Sequence, residues 1–531
     1  MPSSAVAIIG KAPRPAENPK ARKRQGPKTP SQWGVVAKSG ARAIYGRAAC
    51  ICPPLWALLK PAFAPIRTDM PSPSPHSLWR TEAAAMLWLA SPLVAANILQ
   101  MAVYAIDVIF VARLGQEVLA ASSLSVALFG LMTWSFSGLT SAVAPLIAAE
   151  LGRGTHALRE VRRSVRMALW LSVALGLVGM GVCAMGEEIL LATGQNPHVA
   201  ARAGAFLDVL KWSMIPITAA NVLRCFVATL GRPMFATAIT ALAILVNACG
   251  NYAFVFGHWG APALGLEGSA LSSVLTAVIT LAAYVALIAS DRRLRRYHLQ
   301  GRWWQAEWHR LGEILRLGLP IALTLIAEVG LFGGAAFLMG RIGEAELAGH
   351  TIALQVASFT FQIPMGLSQA ATIRVGYYYG AGDRAGIARA GWCAVIVGLG
   401  FSLVSAAVML LFPRFILSAY VDVNAATNAV MVGFALQYLL FAAAFQLADG
   451  IQAIAAGALR GLQDTRVPMA IAIFGYWLPG MGTAVFLGFA TPLRGSGVWI
   501  GLAVSLVVVG ALLLWRWHRR ERLGLLPGRG F

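Results

Sequence analysis

Three carboxylates stand inside long apolar stretches of this chain: Asp107, Glu328 and Asp449. A charge near the centre of a bilayer costs several kcal/mol and is neutralised, paired or put to use. Glu328 lies eight residues after Pro320, in Ala-Glu-Val-Gly-Leu-Phe, with no cationic residue within two turns along the chain. Such a group can take a proton from one side and lose it to the other. It can also bind Na⁺ with help from carbonyls, or pair with a cationic substrate. The structural alternative is a protonated glutamate hydrogen-bonded to a neighbour. Asp449, in Gln446-Leu-Ala-Asp449-Gly-Ile-Gln452, has the same standing. Two such groups in one half of the chain favour an ion site over either alone.

Asn247 and Asn251 lie one turn apart on one helical face, and buried amides need partners. Together with Asp107 and Ser273 they form a second candidate polar nest. Hydrogen bonds that merely hold helices together are the alternative. Asp208 and Lys211 sit at i, i+3 spacing and read as a mutual pair near a membrane face. His350 follows Leu347-Ala348-Gly349, and a packing role is favoured there over proton relay. Trp303, Trp304 and Trp308 read as an interfacial belt.

The elements that position these residues follow from composition. The chain has 531 residues, 58% hydrophobic and only 12% charged, where a soluble protein carries about 25% charged residues. Apolar runs are expected near 84–112, 117–149, 164–186, 199–230, 234–257 and 266–290. A second set falls near 312–341, 346–378, 387–412, 426–459, 468–490 and 496–517. Each suffices to cross ~30 Å at ~1.5 Å per residue. The fold class is therefore all-α and integral to a membrane, with about twelve transmembrane helices.

The two sets repeat one another at an offset of 228 residues, without a gap from Pro92 and Pro320 to Ala157 and Ala385. Gln100 meets Glu328, Arg113 meets Arg341, Gly138-Leu139 meets Gly366-Leu367, and Gly152 meets Gly380. Duplicated long apolar segments mark a transporter of two like halves. Six spans per half make the halves parallel copies around a central cleft. The expected boundaries are an N-lobe at 78–290, a linker at 291–311, a C-lobe at 312–517 and a basic tail at 518–531.

Charge gives the orientation. Arg153, Arg159, Arg162, Arg163 and Arg166 follow the second span, Arg292, Arg293, Arg295, Arg296 and Arg302 the sixth, and Arg516, Arg519, Arg520 and Arg522 the twelfth. The alternate loops carry Glu187 and Glu188, Glu344 and Glu346, and Asp422. The positive-inside rule then puts both termini in the cytosol of a multi-pass protein of the cell (inner) membrane. Residues 1–77 hold twelve Lys and Arg against Glu17 and Asp69 and read as a disordered cytosolic extension, or as sequence upstream of a true start at Met70.

Several function classes are disfavoured. The net charge of +21 sits in a tail and short loops, with no basic face interleaved with aromatics, so nucleic acid is not an expected partner. Cys50-x-Cys52 has no second pair nearby, and no zinc or disulfide framework follows. No Gly-x4-Gly-Lys-Ser/Thr run exists, so pumping must draw on an ion gradient. The expectation is a non-enzymatic, cofactor-free monomer.

At this level the chain resembles the multidrug and toxic compound extrusion transporters. The likeness is carried by Pro320 through Arg384, with Glu328, Leu347-Ala348-Gly349-His350, Pro364-Met365-Gly366 and Arg374-Val375-Gly376. It continues in Arg460-Gly461-Leu462-Gln463-Asp464-Thr465-Arg466-Val467-Pro468, in Tyr476-Trp477, in Gly497-Val498-Trp499, and in Asn251 through Gly268. It covers about residues 80–515.

The resemblance implies two six-helix lobes and efflux of small organic cations and drugs in exchange for H⁺ or Na⁺. It also implies ion or substrate binding at Glu328 and Asp449, with Na⁺ as one candidate ion. Asp107, Asn247, Asn251 and Ser273 match the family's N-lobe site. Two departures stand out. Ala112 replaces a glycine often seen before Arg-Leu-Gly, and Asn251 stands where some relatives carry an acid. The run from Arg460 to Pro468 lies at a cytosolic end and reads as structural. A lipid-linked oligosaccharide flippase of the same superfamily is the alternative, although such proteins tend toward cationic cavities.

Overall fold

The structure is a computed structural model that describes residues 75–154, 156–299, 301 and 305–528, with side chains from Ser77 onward. Cys50, Cys52, Trp303, Trp304 and nearly all of the basic extension at 1–77 lie outside the described residues. Among the described residues there is no strand.

Eleven helices among the described residues are long and apolar enough to cross a membrane: α1 (Ser77–Ala112), α2 (Gln116–Arg153), α3 (Ala157–Ala184), α4 (Pro197–Thr229), α5 (Pro233–Phe256), α6 (Leu266–Ser290), α7 (Trp308–Ile342), α9 (Arg384–Leu411), α10 (Ala426–Gly461), α11 (Arg466–Phe489) and α12 (Gly495–His518). The twelfth is α8 (Glu344–Ala381), of 38 residues. It carries Glu346, His350, Gln362, Gln369 and Arg374, so its composition alone does not mark it as a span. Glu346, His350 and Arg374 are nonetheless buried, where α8 packs against α1, α9, α10 and the end of α2. The expected all-α, twelve-span architecture is therefore present. The linker expected over 291–311 contains a short helix at Arg292–Arg295, and its end is already helical from Trp308.

Local chemistry shapes the helices. Pro92 sits inside α1 and Pro320 inside α7, at repeat-related positions. A proline removes one backbone donor and bends the helix that holds it. Thr237 on α5 donates to the Pro92 carbonyl at 2.6 Å, which fastens α5 to α1 beside that proline. Pro479 falls in a π-helical turn, Tyr476–Met481, in the middle of α11. The widened turn accommodates the ring, and such turns often occur at functional sites. Gly382 ends α8 at φ +71, a left-handed geometry that favours glycine, and Asp383 then caps α9 by accepting from the Gly386 N–H at 2.8 Å.

The two halves meet near the end that bears the arginine-rich loops, and this seam obeys the 228-residue repeat. A Cβ on Gly138 of α2 would press on the backbone of Ala322 in α7, and one on Gly366 of α8 would press on the backbone of Val94 in α1. Both partners of the first contact are the repeat mates of the second. Gly152 of α2 abuts the carbonyl of Tyr377, and Gly380 of α8 abuts that of Ala149, again as repeat mates. The start of α7, with Ile314, Leu317 and Ile321, packs into the core of the first half. The start of α1, with Met86, Leu89 and Leu93, packs into that of the second.

Ion pairs close the same seam. Arg374 of α8 donates through Nε and Nη2 to both carboxylate oxygens of Glu82 on α1, and the Tyr378 hydroxyl donates to Glu82 Oε2 at 2.8 Å. Both charged partners are buried, a geometry in which bidentate hydrogen bonding offsets the loss of hydration. In the repeat-related place Arg310 of α7 reaches Glu150 of α2 at 3.4 Å and also pairs with Glu160 of α3. Glu82 and Arg310 are repeat mates, as are Tyr378 and Glu150, so the acid and the base have changed sides.

Candidate functional site

Each half holds one polar nest. In the first half, Asp107 on α1 faces α5 and α6. Its Oδ1 accepts from Asn247 Nδ2 at 2.9 Å and from Asn251 Nδ2 at 2.8 Å, and its Oδ2 accepts from the Ser273 hydroxyl at 3.3 Å. Asn247 and Asn251 are fully buried. They converge because residues four apart share one face of α5. Asn251 Nδ2 also lies 3.0 Å from the Asn247 carbonyl, while the Ser272 hydroxyl donates to that carbonyl at 2.9 Å. All four residues expected to form the first nest are thus in mutual contact, and they present donors suited to an ionised carboxylate.

The second nest is built differently. Asp449 on α10 is buried, and its Oδ1 has no hydrogen-bond partner among the described residues. Glu328 on α7 is partly exposed and makes no hydrogen bond or ion pair there. The two carboxyls lie within electrostatic range of each other and of Tyr476. Gln452, three residues after Asp449 on the same helix, donates from Nε2 to the Tyr476 hydroxyl at 2.8 Å. Gln446, three residues before it, accepts at Oε1 from Thr360 of α8 at 3.0 Å and leaves its Nε2 unpartnered. Buried polar groups are ordinarily satisfied, so open valences in one place point to a function that fills them.

Arg460 also enters this nest. It lies within electrostatic range of Glu328 and Tyr476 yet forms no ion pair with either among the described residues. The Arg460–Pro468 run read as structural rather than coupling, and Arg460 was not assigned to the site. Tyr476 and Gln452 were likewise not assigned to the site, although both fall in the stretches that carry the family resemblance. Arg224 on α4 is another intramembrane cation not foreseen. It donates to Asn221 Oδ1 at 3.0 Å and lies within electrostatic range of Tyr104.

The remaining singled-out residues take packing or pairing positions. His350 is fully buried, packs edge-on against Trp499 at 5.5 Å, and has no hydrogen bond at either ring nitrogen among the described residues. Lys211 and Asp208 pair at 2.7 Å on the surface of α4. Trp308 is exposed at the start of α7.

The MatE family model matches residues 92–253 and 320–486, two segments that begin at the repeat-related prolines. The chain belongs to the MatE family. The matched MatE segments contain all of the nest residues except Ser273, which lies in α6 beyond the first. The probable multidrug resistance protein NorM of Mesorhizobium japonicum is 44% identical over 455 residues, covering 86% of this chain and 97% of that protein. A NorM of the same description from Brucella suis is 40% identical over 449 residues, covering 85% and 95%. Solved MATE structures share the fold. One in a straight conformation gives TM-score 0.76 at 20% identity, over 86% of this chain and all of that one. An outward-facing multidrug resistance MATE transporter gives 0.74 at 21% identity, over 86% and 99%.

Proposed function

We propose that this MatE protein is a secondary active multidrug efflux transporter of the inner membrane. It exchanges cytosolic organic cations and drugs for H⁺ or Na⁺ by alternating access. The observation that carries this reading is the second nest, where Glu328 and Asp449 lie within electrostatic range of each other with open valences and no salt bridge among the described residues. Carboxylates left this way inside a membrane protein are occupied in turn by a coupling ion and by a positively charged substrate. A ligand drives a conformational change only by binding one state better than the other. Competition for this pair supplies that difference.

The arginine-rich end is the cytosolic end, both termini lie on that side, and the protein works as a monomer. With its seam closed at that end, the state described here faces outward. Inward opening then requires the Glu82–Arg374 and Arg310–Glu150 pairs to part together, as repeat symmetry dictates. One half rocks against the other, and the seam glycines are its pivot and stop.

Glu328→Gln tests the reading. Efflux of a fluorescent organic cation from cells should fall to background while the protein still inserts in the membrane. Unchanged efflux by that variant would remove the basis of the proposal.

A further inference from the structure

One turn from Glu328 toward the arginine-rich end, the second half encloses a cavity of about 10 Å³, lined by Ile321, Thr324, Gln452, Arg460 and Thr465 among others. That volume is the room one water requires. The chemistry around it is unbalanced in a specific way. Arg460 carries five N–H donors and has no acceptor among the described residues. Gln452 Oε1 and Thr465 Oγ1, buried and lining the same cavity, have no hydrogen-bond partner among the described residues. Thr324 gives its hydroxyl proton to the Pro320 carbonyl at 2.9 Å and so offers lone pairs only. Donors without acceptors and acceptors without donors converge on a space the size of the one small molecule that serves both.

We propose that this cavity binds a single water. The water accepts from Arg460 and donates to Gln452 Oε1 and Thr465 Oγ1, fastening the guanidinium as a fixed positive charge on the cytosolic side of the carboxylates. A cavity between Glu328 and the closed end would be a leak for the coupling ion. An arginine held in it raises an electrostatic barrier to protons and cations, as fixed charges do in selective pores. The ion then enters and leaves by the cleft alone. Arg460 is thus a positioning residue that keeps exchange tight, and this role rests on the reading of Glu328 as the coupling group. A bound anion would satisfy Arg460 but not the two orphaned acceptors, which disfavours a halide.

The test uses the full chain in liposomes with an imposed proton or sodium gradient and no drug present. Arg460→Gln should raise drug-independent ion flux by about fivefold or more, and Thr465→Val by about twofold, while Thr465→Ser stays at the wild-type level. A high-resolution density map should show one peak within hydrogen-bonding reach of Arg460, Gln452 and Thr465. Replacing chloride by gluconate should leave the flux unchanged. Wild-type tightness in both Arg460→Gln and Thr465→Val, or a chloride-dependent flux, overturns the proposal. If Arg460→Gln does not insert, the Thr465→Val and Thr465→Ser pair decides alone. Glu328→Gln separates the two claims. If it abolishes efflux while Arg460→Gln stays tight, only the water site fails; if it retains efflux, the coupling reading itself fails.

Discussion

The two halves of this MatE protein share a seam and differ in their nests. Along the seam the repeat is kept contact for contact: Gly138 and Gly366, Gly152 and Gly380 each press on the mate of the other's partner. In the nests it is broken. Asp107 accepts three hydrogen bonds from neutral donors, whereas Asp449 leaves an oxygen unpartnered and Glu328 makes no hydrogen bond or ion pair among the described residues. The acids are not even at matching positions, since the mate of Glu328 is Gln100. Duplication preserved the part that must move symmetrically and allowed divergence in the part that does chemistry. A carboxylate that accepts three hydrogen bonds has its lone pairs engaged without a ligand, and one with open valences can take an ion or a cation.

If that contrast is real, variants in the nests should behave unequally and variants in the seam alike. The largest effect belongs to Glu328→Gln, which should lower gradient-driven efflux by about 100-fold, while Gln100→Glu leaves efflux near the wild-type rate. Vesicle uptake of a fluorescent cation measures both, and equal losses would erase the distinction between the halves.

Next comes the seam ion pair. Arg374→Gln leaves Glu82 buried without its partner, a change worth about 3–5 kcal/mol against the closed arrangement. Cys393, buried at the seam against the start of α1, is a native reporter. Its labelling by a membrane-permeant maleimide should accelerate in the variant, and an unchanged rate would show that the pair does not hold the seam.

A smaller effect separates the carboxyls by stability. Asp107→Asn removes an anion to which three donors point and should cost about 2 kcal/mol, with transport reduced as well. Asp449→Asn breaks no hydrogen bond at Oδ1 and should shift stability by less than about 0.5 kcal/mol. Thermal unfolding in detergent compares them, and the reverse order would contradict the geometry. The finest comparison is between Gly152→Ala and Gly380→Ala, where the difference between two effects is read rather than their size. Each should weaken the closed seam by about 1–3 kcal/mol, and by matching amounts. The same Cys393 labelling reads both, and a marked inequality would break the symmetry argument.

Much of this was legible in the sequence, for identifiable reasons. Asn247 and Asn251 stand one turn apart in an otherwise apolar stretch, so only a shared partner could satisfy them, and Asp107 is that partner. Glu328 and Asp449 were visible because acids inside apolar runs are rare. α8 was expected as an apolar run at 346–378, although it is more polar than the other spans and falls outside the eleven that length and apolarity mark. Arg460 was not legible. It lies eleven residues beyond Asp449 at a helix end, where apolarity alone assigns it to the membrane surface. Only the fold, which sets it within electrostatic range of Glu328 on α7, brings it into the nest. The Glu82–Arg374 pair joins residues 292 positions apart. No local pattern could reveal it: the 228-residue offset makes the Glu82–Tyr378 contact the repeat mate of Arg310–Glu150, but it sets Arg374 opposite Leu146.

The most direct test of the central claim is ion release on substrate binding. Purified protein in weakly buffered detergent solution, loaded with the coupling ion, is titrated with an organic cation while released protons or sodium are counted. Wild type and Asp107→Asn should both release ion as substrate binds, and Glu328→Gln should bind weakly and release none. Release from Glu328→Gln at the wild-type stoichiometry, with loss of release in Asp107→Asn, would place the exchange in the wrong half and contradict the account.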